Sequence, residues 1–305
     1  MNIAIVGATG NVGRKLLEVI EKLNFKFSEL YLIASDKSIG KEINFKNKTY
    51  SIVGLNDFDF SKVKIAFFSA GSAIAEKWAP IAAKKTIVID NSKHFRMDKD
   101  IPLVVPEVNA DSLKSYKNKN IIANANCSTI QLVLALKPLH DQFGIKRVIV
   151  STYQSVSGAG NAQIKELEEQ SKKVLDKQKV KSENFTKQIA FNVIPHIDTF
   201  MEDRYTKEEW KMIVETKKIL DPNISLSATC VRVPVFVGHS ESVNIEFNKE
   251  VDAKKIRDCL EKAPGCKVVD ETKDGGYITP IEAEGDYTTY ISRIRKDNTN
   301  IKAIN

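Results

Sequence analysis

The chain has 305 residues, 42% hydrophobic and 28% charged, with 46 basic against 39 acidic side chains and a formal charge of +7. That length suits two domains of ordinary size, and the balance is that of a soluble globular enzyme. The lysines are scattered, no aromatic-interleaved basic stripe occurs and no apolar run spans a bilayer, so neither nucleic acid nor a membrane is an expected partner.

Asn2-Ile3-Ala4-Ile5-Val6 reads as a short apolar strand, not a signal peptide. It runs into Gly7-Ala8-Thr9-Gly10-Asn11-Val12-Gly13 and then into Leu16, Leu17, Val19, Ile20 and Leu23 at helical spacing. Glycines here allow a tight turn and close approach of the backbone to a pyrophosphate, and the helix N-terminus points N–H groups at the charge. The G-x-x-G-x-x-G spacing is a variant of the dinucleotide fingerprint, and its place between a strand and a helix gives it weight.

Leu30–Ala34 is expected as a second strand, Val63–Phe68 as another, Ala73–Lys84 as a helix and Thr86–Asp90 as a further strand. This alternation predicts a parallel sheet. After Asn120-Ile121-Ile122-Ala123, the stretch Asn126-Cys127-Ser128-Thr129 opens an apolar helix. Asn126 is a good N-cap, which puts Cys127 in the first turn, where free N–H groups and the helix dipole favour a thiolate. Position alone favours a small packing cysteine at a strand–helix junction, and the rest of the chain overturns that reading. The four cysteines show no C-x-x-C spacing, so neither zinc nor a disulfide framework is expected, and a reducing cytoplasm is.

Beyond Ser128 the rhythm changes. Ile145–Val156, Leu226–Val237 and Ser242–Phe247 read as long strands, Asn161–Lys177 as a helix, and Ser171–Lys187 as an exposed lysine-rich helix end and loop. The expected fold is α/β: an N-terminal Rossmann-type parallel-sheet domain over 1–127, and a second α+β catalytic domain over 128–305 built on a mixed or antiparallel sheet. Thr206-Lys207-Glu208-Glu209 reads as a capping box that gives Glu209 a structural task and leaves Glu208 free. Lys211 has an ordinary alternative, an exposed i,i+4 pair with Glu215.

Together with Phe95-Arg96-Met97-Asp98, Val104-Val105-Pro106-Glu107-Val108-Asn109, Tyr153-Gln154-Ser155-Val156-Ser157-Gly158-Ala159-Gly160, Glu208-Glu209-Trp210-Lys211, Arg232-Val233-Pro234 and Gly238-His239-Ser240, these motifs resemble the bacterial aspartate-semialdehyde dehydrogenases over nearly the whole chain. The resemblance implies NADPH-dependent reductive dephosphorylation of aspartyl 4-phosphate to aspartate semialdehyde, on the route to lysine, methionine and threonine. It implies a small-molecule substrate, inorganic phosphate as co-substrate and a homodimer, with the second domain also the dimerisation domain. Cys127 is then the acylated nucleophile, His239 the general acid/base and Gln154 the group that orients the acyl chain. The residues alone do not choose His239 over His94, His140 or His196; an unperturbed imidazole, pKa about 6.5, suits proton transfer. Arg232 would clamp the substrate carboxylate, Glu208 its ammonium, and Arg96, Asn126 and Lys211 the phosphate. Gly7, Thr9, Gly10, Asn11, Val12 and Gly13 would hold the pyrophosphate, with Ser157 and Gly158 on the nicotinamide side. Ser35, Lys37 and Ser38 would meet the adenosine ribose. Asp36 and Lys37 pull opposite ways between NAD and NADP; the resemblance places the basic-Ser pair on the 2′-phosphate and so implies NADP.

Three positions depart from the family pattern. Ala125 replaces a proline before Asn126-Cys127, Lys37-Ser38 replaces Arg-Ser, and the family's last strand and helix are expected beyond Asn305. N-acetyl-glutamyl-phosphate reductase and glyceraldehyde-3-phosphate dehydrogenase share the loop, cysteine and histidine but not the Glu208/Lys211 helix. A non-catalytic nucleotide-binding redox sensor would tolerate loss of His239 or Arg232, and both are present.

Overall fold

The computed structural model describes residues 1–305, and the chain divides into two compact units, Met1–Ala125 and Asn126–Asn305. The N-terminal unit begins with β1 (Ile3–Val6), α1 (Asn11–Lys22) and β2 (Leu30–Ala34). The hairpin β3 (Glu42–Phe45) and β4 (Lys48–Gly54) follows, then β5 (Ile65–Phe68), α2 (Ser72–Ala83), β6 (Ile87–Asp90), β7 (Leu103–Val104), the one-turn α3 (Pro106–Asn109) and β8 (Ile121–Asn124). The eight strands run in the order β3-β4-β2-β1-β5-β6-β8-β7, parallel except for β3 against β4. Because β1 lies between β2 and β5, the connections leave it in opposite directions, and the turn after β1 sits at the switch point where such sheets bind ligands. Ile3, Ile5 and Leu32 pack with Leu17 and Ile20 of α1, whose apolar residues share one face.

The C-terminal unit carries α4 (Cys127–Phe143), β9 (Ile145–Gln154), α5 (Asn161–Leu175), α6 (Lys207–Ile219), β10 (Ser225–Arg232) and β11 (Ser240–Phe247). It continues through α7 (Ala253–Leu260), β12 (Cys266–Val268), the short α8 (Pro280–Ala283), β13 (Thr289–Ile291) and β14 (Ala303–Ile304). Its main sheet has the order β10-β9-β11-β14 and is mixed: β10 runs parallel to β9, while β11 runs antiparallel to both β9 and β14. Leu132, Leu136 and Leu139 of α4 and Met212 of α6 pack with Val148, Val150, Ile245 and Phe247 of the sheet to form its core. The strand expected over Leu226–Val237 ends at Arg232, just before Pro234, which has no N–H to continue a ladder. The lysine-rich segment after α5 is tied down. Buried Glu166 accepts the N–H groups of Glu183 and Asn184, and Gln170 accepts those of Ile189 and Ala190. No helix is long and apolar enough to cross a membrane.

Candidate active site

Sheet topology gathers the polar residues of the C-terminal unit. Gln154 and Arg232 end two parallel strands and are register partners; Ser240 begins the antiparallel β11 opposite Tyr153. The C-terminal ends of β9 and β10 and the start of β11 therefore meet at one edge, which brings Gln154, Arg232 and His239 together.

Asn126 caps α4 as its sequence implies. Its Oδ1 accepts the N–H groups of Ser128 at 3.0 Å and Thr129 at 3.3 Å. Its own N–H is held at 2.6 Å by Glu215 Oε2, and its Nδ2 donates to Glu208 Oε1 at 3.0 Å. Both ends of the residue before the cysteine are thus anchored to α6. Cys127 is exposed, and its Sγ lies 3.3 Å from His239 Nε2. His239 Nδ1 accepts the backbone N–H of Ser155 at 3.0 Å. A neutral ring whose Nδ1 accepts must carry its proton on Nε2, the nitrogen that faces the sulfur. Burial first, and then the Arg232 charge, push the His239 pKa down to about 4 against an opposing pull from Glu208. The ring is therefore neutral across the physiological range, unlike the unperturbed imidazole expected from sequence. A Cβ on Gly158 would stand 3.3 Å from both Cε1 and Nε2 of this ring, so the glycine leaves the histidine its place.

Glu208 is fully engaged. Besides Asn126, its Oε1 accepts from Gln154 Nε2 at 3.3 Å, and its Oε2 pairs with Lys211 Nζ at 2.5 Å. Burial would raise its pKa, but Lys211, Asn126 and Gln154 outweigh it and hold the carboxyl below its ordinary value. The carboxylate expected to be free is thus a hub of the cluster. Arg232 is buried, and its Nη1 donates to the Ser155 carbonyl at 2.6 Å. Glu209 performs the capping-box role: Oε2 accepts the Thr206 N–H at 2.7 Å, and Oε1 also reaches the Cys230 N–H at 3.0 Å.

In the N-terminal unit, Gly7 has φ +89°, and a Cβ there would come within 2.8 Å of the Ser69 backbone. At Gly13 a Cβ would meet the Gly7 carbonyl at 2.4 Å. Only glycine lets the loop fold this tightly under α1, whose N-cap, Gly10, has no side-chain cap. The first N–H groups of α1 are left for an anionic ligand beside Thr9, Asn11 and Val12. These residues fit a dinucleotide pyrophosphate. At the end of β2, Ser35 and Lys37 are exposed and Ser38 is buried. Arg96 is buried, and its Nη2 donates to the Asn91 carbonyl at 3.3 Å.

A family model described as semialdehyde dehydrogenase, NAD binding domain, matches residues 2–116, and one described as semialdehyde dehydrogenase, dimerisation domain, matches 136–305. An aspartate-semialdehyde dehydrogenase from Aquifex aeolicus is 54% identical over 97% of this chain and 88% of its own length. One from Rickettsia bellii is 49% identical over 100% of this chain and 90% of its own. The crystal structure of aspartate semialdehyde dehydrogenase II from Vibrio cholerae superposes with a TM-score of 0.96 at 48% identity, covering 99% of this chain and 90% of that one. The chain belongs to the aspartate-semialdehyde dehydrogenase family. It is accordingly an oxidoreductase that uses a nicotinamide cofactor.

Sequence reading missed three residues at this site. Ser155 sets the His239 tautomer through its N–H and receives Arg232 on its carbonyl. Glu215, considered only as an alternative i,i+4 partner of Lys211, accepts the Asn126 N–H. Asp198 holds Lys211 from a separate loop at 3.1 Å. Of the three, only Glu215 left a trace in the sequence: with Glu208 and Lys211 it falls at i, i+3 and i+7, one helix face.

Proposed function

We propose that this enzyme catalyses the NADPH-dependent reductive dephosphorylation of L-aspartyl 4-phosphate to L-aspartate 4-semialdehyde, and the phosphate-dependent reverse, through a thioester on Cys127. The observation that carries the reading is the exposed Cys127 sulfur at 3.3 Å from His239 Nε2, in the same unit as the buried Glu208 and Arg232. A relative of 48% identity from Vibrio cholerae, solved complexed with ASA, supports the substrate class.

In the forward direction the Cys127 thiolate attacks the acyl-phosphate carbonyl carbon. A C–S bond forms, the C–O bond to phosphorus breaks, and inorganic phosphate departs. NADPH, when bound, supplies the hydride that reduces the thioester. His239 holds a proton at Nε2 beside the sulfur. It steadies the thiolate before attack and again when the hemithioacetal collapses to the aldehyde and the C–S bond breaks. Gln154 orients the acyl group, Arg232 takes the carboxylate with the N–H groups not given to Ser155, and Glu208 takes the ammonium. Lys211, Asn126 and Arg96 are assigned to phosphate.

Gly7, Thr9, Gly10, Asn11, Val12 and Gly13 are assigned to the pyrophosphate, and Ser157 and Gly158 to the nicotinamide. Ser35, Lys37 and Ser38 are assigned to the adenosine 2′-phosphate, with exposed Lys37 as the charge that selects NADP over NAD. The dimerisation-domain match supports a homodimer, and four cysteines outside any disulfide suit a reducing cytoplasm. The test is phosphate-dependent reduction of NADP with aspartate semialdehyde, with mass spectrometry for acyl on Cys127. Turnover of an N-acetylated semialdehyde or of glyceraldehyde 3-phosphate in its place would refute the reading.

A further inference from the structure

Lys211 stands between two carboxylates. Its Nζ lies 2.5 Å from Glu208 Oε2, on its own helix, and 3.1 Å from Asp198 Oδ2, on the loop that precedes α6. That loop is fixed. Asp198 has φ +68°, a left-handed conformation that aspartate tolerates, and its Oδ1 accepts the N–H of Thr199 at 2.9 Å. The Thr199 carbonyl accepts the Lys207 N–H at 2.9 Å, and Phe200 bridges to Thr206, so the loop is bound to the first turn of α6. Oδ2 is thereby held toward Lys211 independently of Glu208.

The charges then matter. Glu208 and Lys211 alone form a neutral pair, with no electrostatic demand for a further cation. With Asp198 the group carries two negative charges and one positive. A substrate ammonium arriving at Glu208 makes it neutral. Without Asp198, the same arrival would leave the half-buried Lys211 ammonium with no carboxylate of its own, which is costly in a low-dielectric site. Arg232 is also electrostatically linked to Glu208, and it is the group assigned above to the substrate carboxylate. We propose that Asp198 is a positioning residue that receives Lys211 when the substrate ammonium claims Glu208, and so sets the preference for amine-bearing substrates. The Lys211 pKa agrees with a cation shared between both acids: burial would lower it, yet Glu208 and then Asp198 raise it above its ordinary value. The inference rests on the assignment of Glu208 to the ammonium.

The test compares wild type with Asp198→Asn in the phosphate-dependent direction, using aspartate semialdehyde and succinate semialdehyde, the same aldehyde without its amino group. Asp198→Asn should raise KM for aspartate semialdehyde on the order of tenfold, the scale of one charged hydrogen bond. It should leave kcat within about twofold, with KM for phosphate not raised and KM for succinate semialdehyde unchanged. Asp198→Glu should restore most of the loss. If the asparagine variant is unstable, Asp198→Ser, which keeps an acceptor for the Thr199 N–H, reads the same loss of charge. An unchanged KM for aspartate semialdehyde, or an equal rise for both aldehydes, would overturn the proposal while leaving the function intact. A wild type inactive on aspartate semialdehyde would overturn both.

Discussion

Glu208 and Glu209 are neighbours with separable tasks, and Glu209→Gln tests the separation. The Glu209 carboxylate ties the Thr206 N–H at 2.7 Å to the Cys230 N–H at 3.0 Å, joining the start of α6 to β10. An amide keeps one acceptor oxygen. Its NH2 must then face the second N–H, leaving one buried donor unpaired. One lost buried hydrogen bond with its desolvation penalty costs about 2–3 kcal/mol. In a unit of 180 residues (126 to 305), each kcal/mol lowers the melting temperature by about 2–4 °C, so the fall should be about 4–12 °C. Scanning calorimetry of the free enzyme measures it. At 25 °C, below the transition, kcat/KM for aspartate semialdehyde should stay within about twofold of wild type, whereas Glu208→Gln should lower it by about one to two orders of magnitude. A Glu209→Gln melting temperature within about 1 °C of wild type would refute the two-donor reading. So would a loss of kcat/KM as large as that of Glu208→Gln.

Iodoacetamide at neutral pH should label exposed Cys127 first and Cys230 last, because burial pushes the Cys230 thiol up to about 12; first labelling at Cys230 would refute the assignment. Cys127→Ala should abolish turnover and leave cofactor binding intact, as measured by titration calorimetry. His239 should titrate in an NMR experiment with a midpoint about 4, and a midpoint between 6 and 7 would contradict the buried neutral ring. Because its charged form is disfavoured in the fold, its stabilising contribution is present above 6.5 and is lost as pH falls toward 4. The 2.5-unit difference between these values amounts to about 3 kcal/mol, visible as a steeper acid-side loss of stability than in His239→Asn. Lys37→Ala should weaken NADP by about 1–2 kcal/mol and leave NAD little changed; equal losses for both would show that Lys37 does not meet the 2′-phosphate.

What was legible in the sequence depended on local physics. The glycine loop, the Asn126 cap and the Thr206–Glu209 box each involve residues a few positions apart, and each formed as the residue types require. What was not legible depends on partners far along the chain. Asp198 meets Lys211 through a loop conformation that no periodicity announces. Ser155 reaches His239 only because β9 and β11 pair, a separation of 84 residues. Glu215 had a plausible local partner in Lys211, but a backbone N–H 89 residues away took the carboxylate. The histidine shift was invisible for the same reason: burial is a tertiary property, and it moved a pKa that the residue type alone places near neutrality.

The mixed direction of the C-terminal sheet is itself part of the chemistry. A parallel pair ends both strands on one side, so Gln154 and Arg232 emerge together; an antiparallel third strand begins there, so His239 enters at the same edge. Were β11 parallel to β9, His239 would lie at the far end of strands 8–10 residues long, more than ~25 Å away at about 3.3 Å per residue. Register is equally strict. Slipping β10 by one residue against β9 would turn Arg232 to the opposite face and put Val231 or Val233 opposite Gln154. The alternation that buries Val148 and Val150 beneath α4 fixes that register, so the packing of an apolar core decides where the arginine points. Stability and the geometry of the proposed site rest on the same strand pairing. Core substitutions in β9 should therefore disturb kcat/KM before they unfold the enzyme.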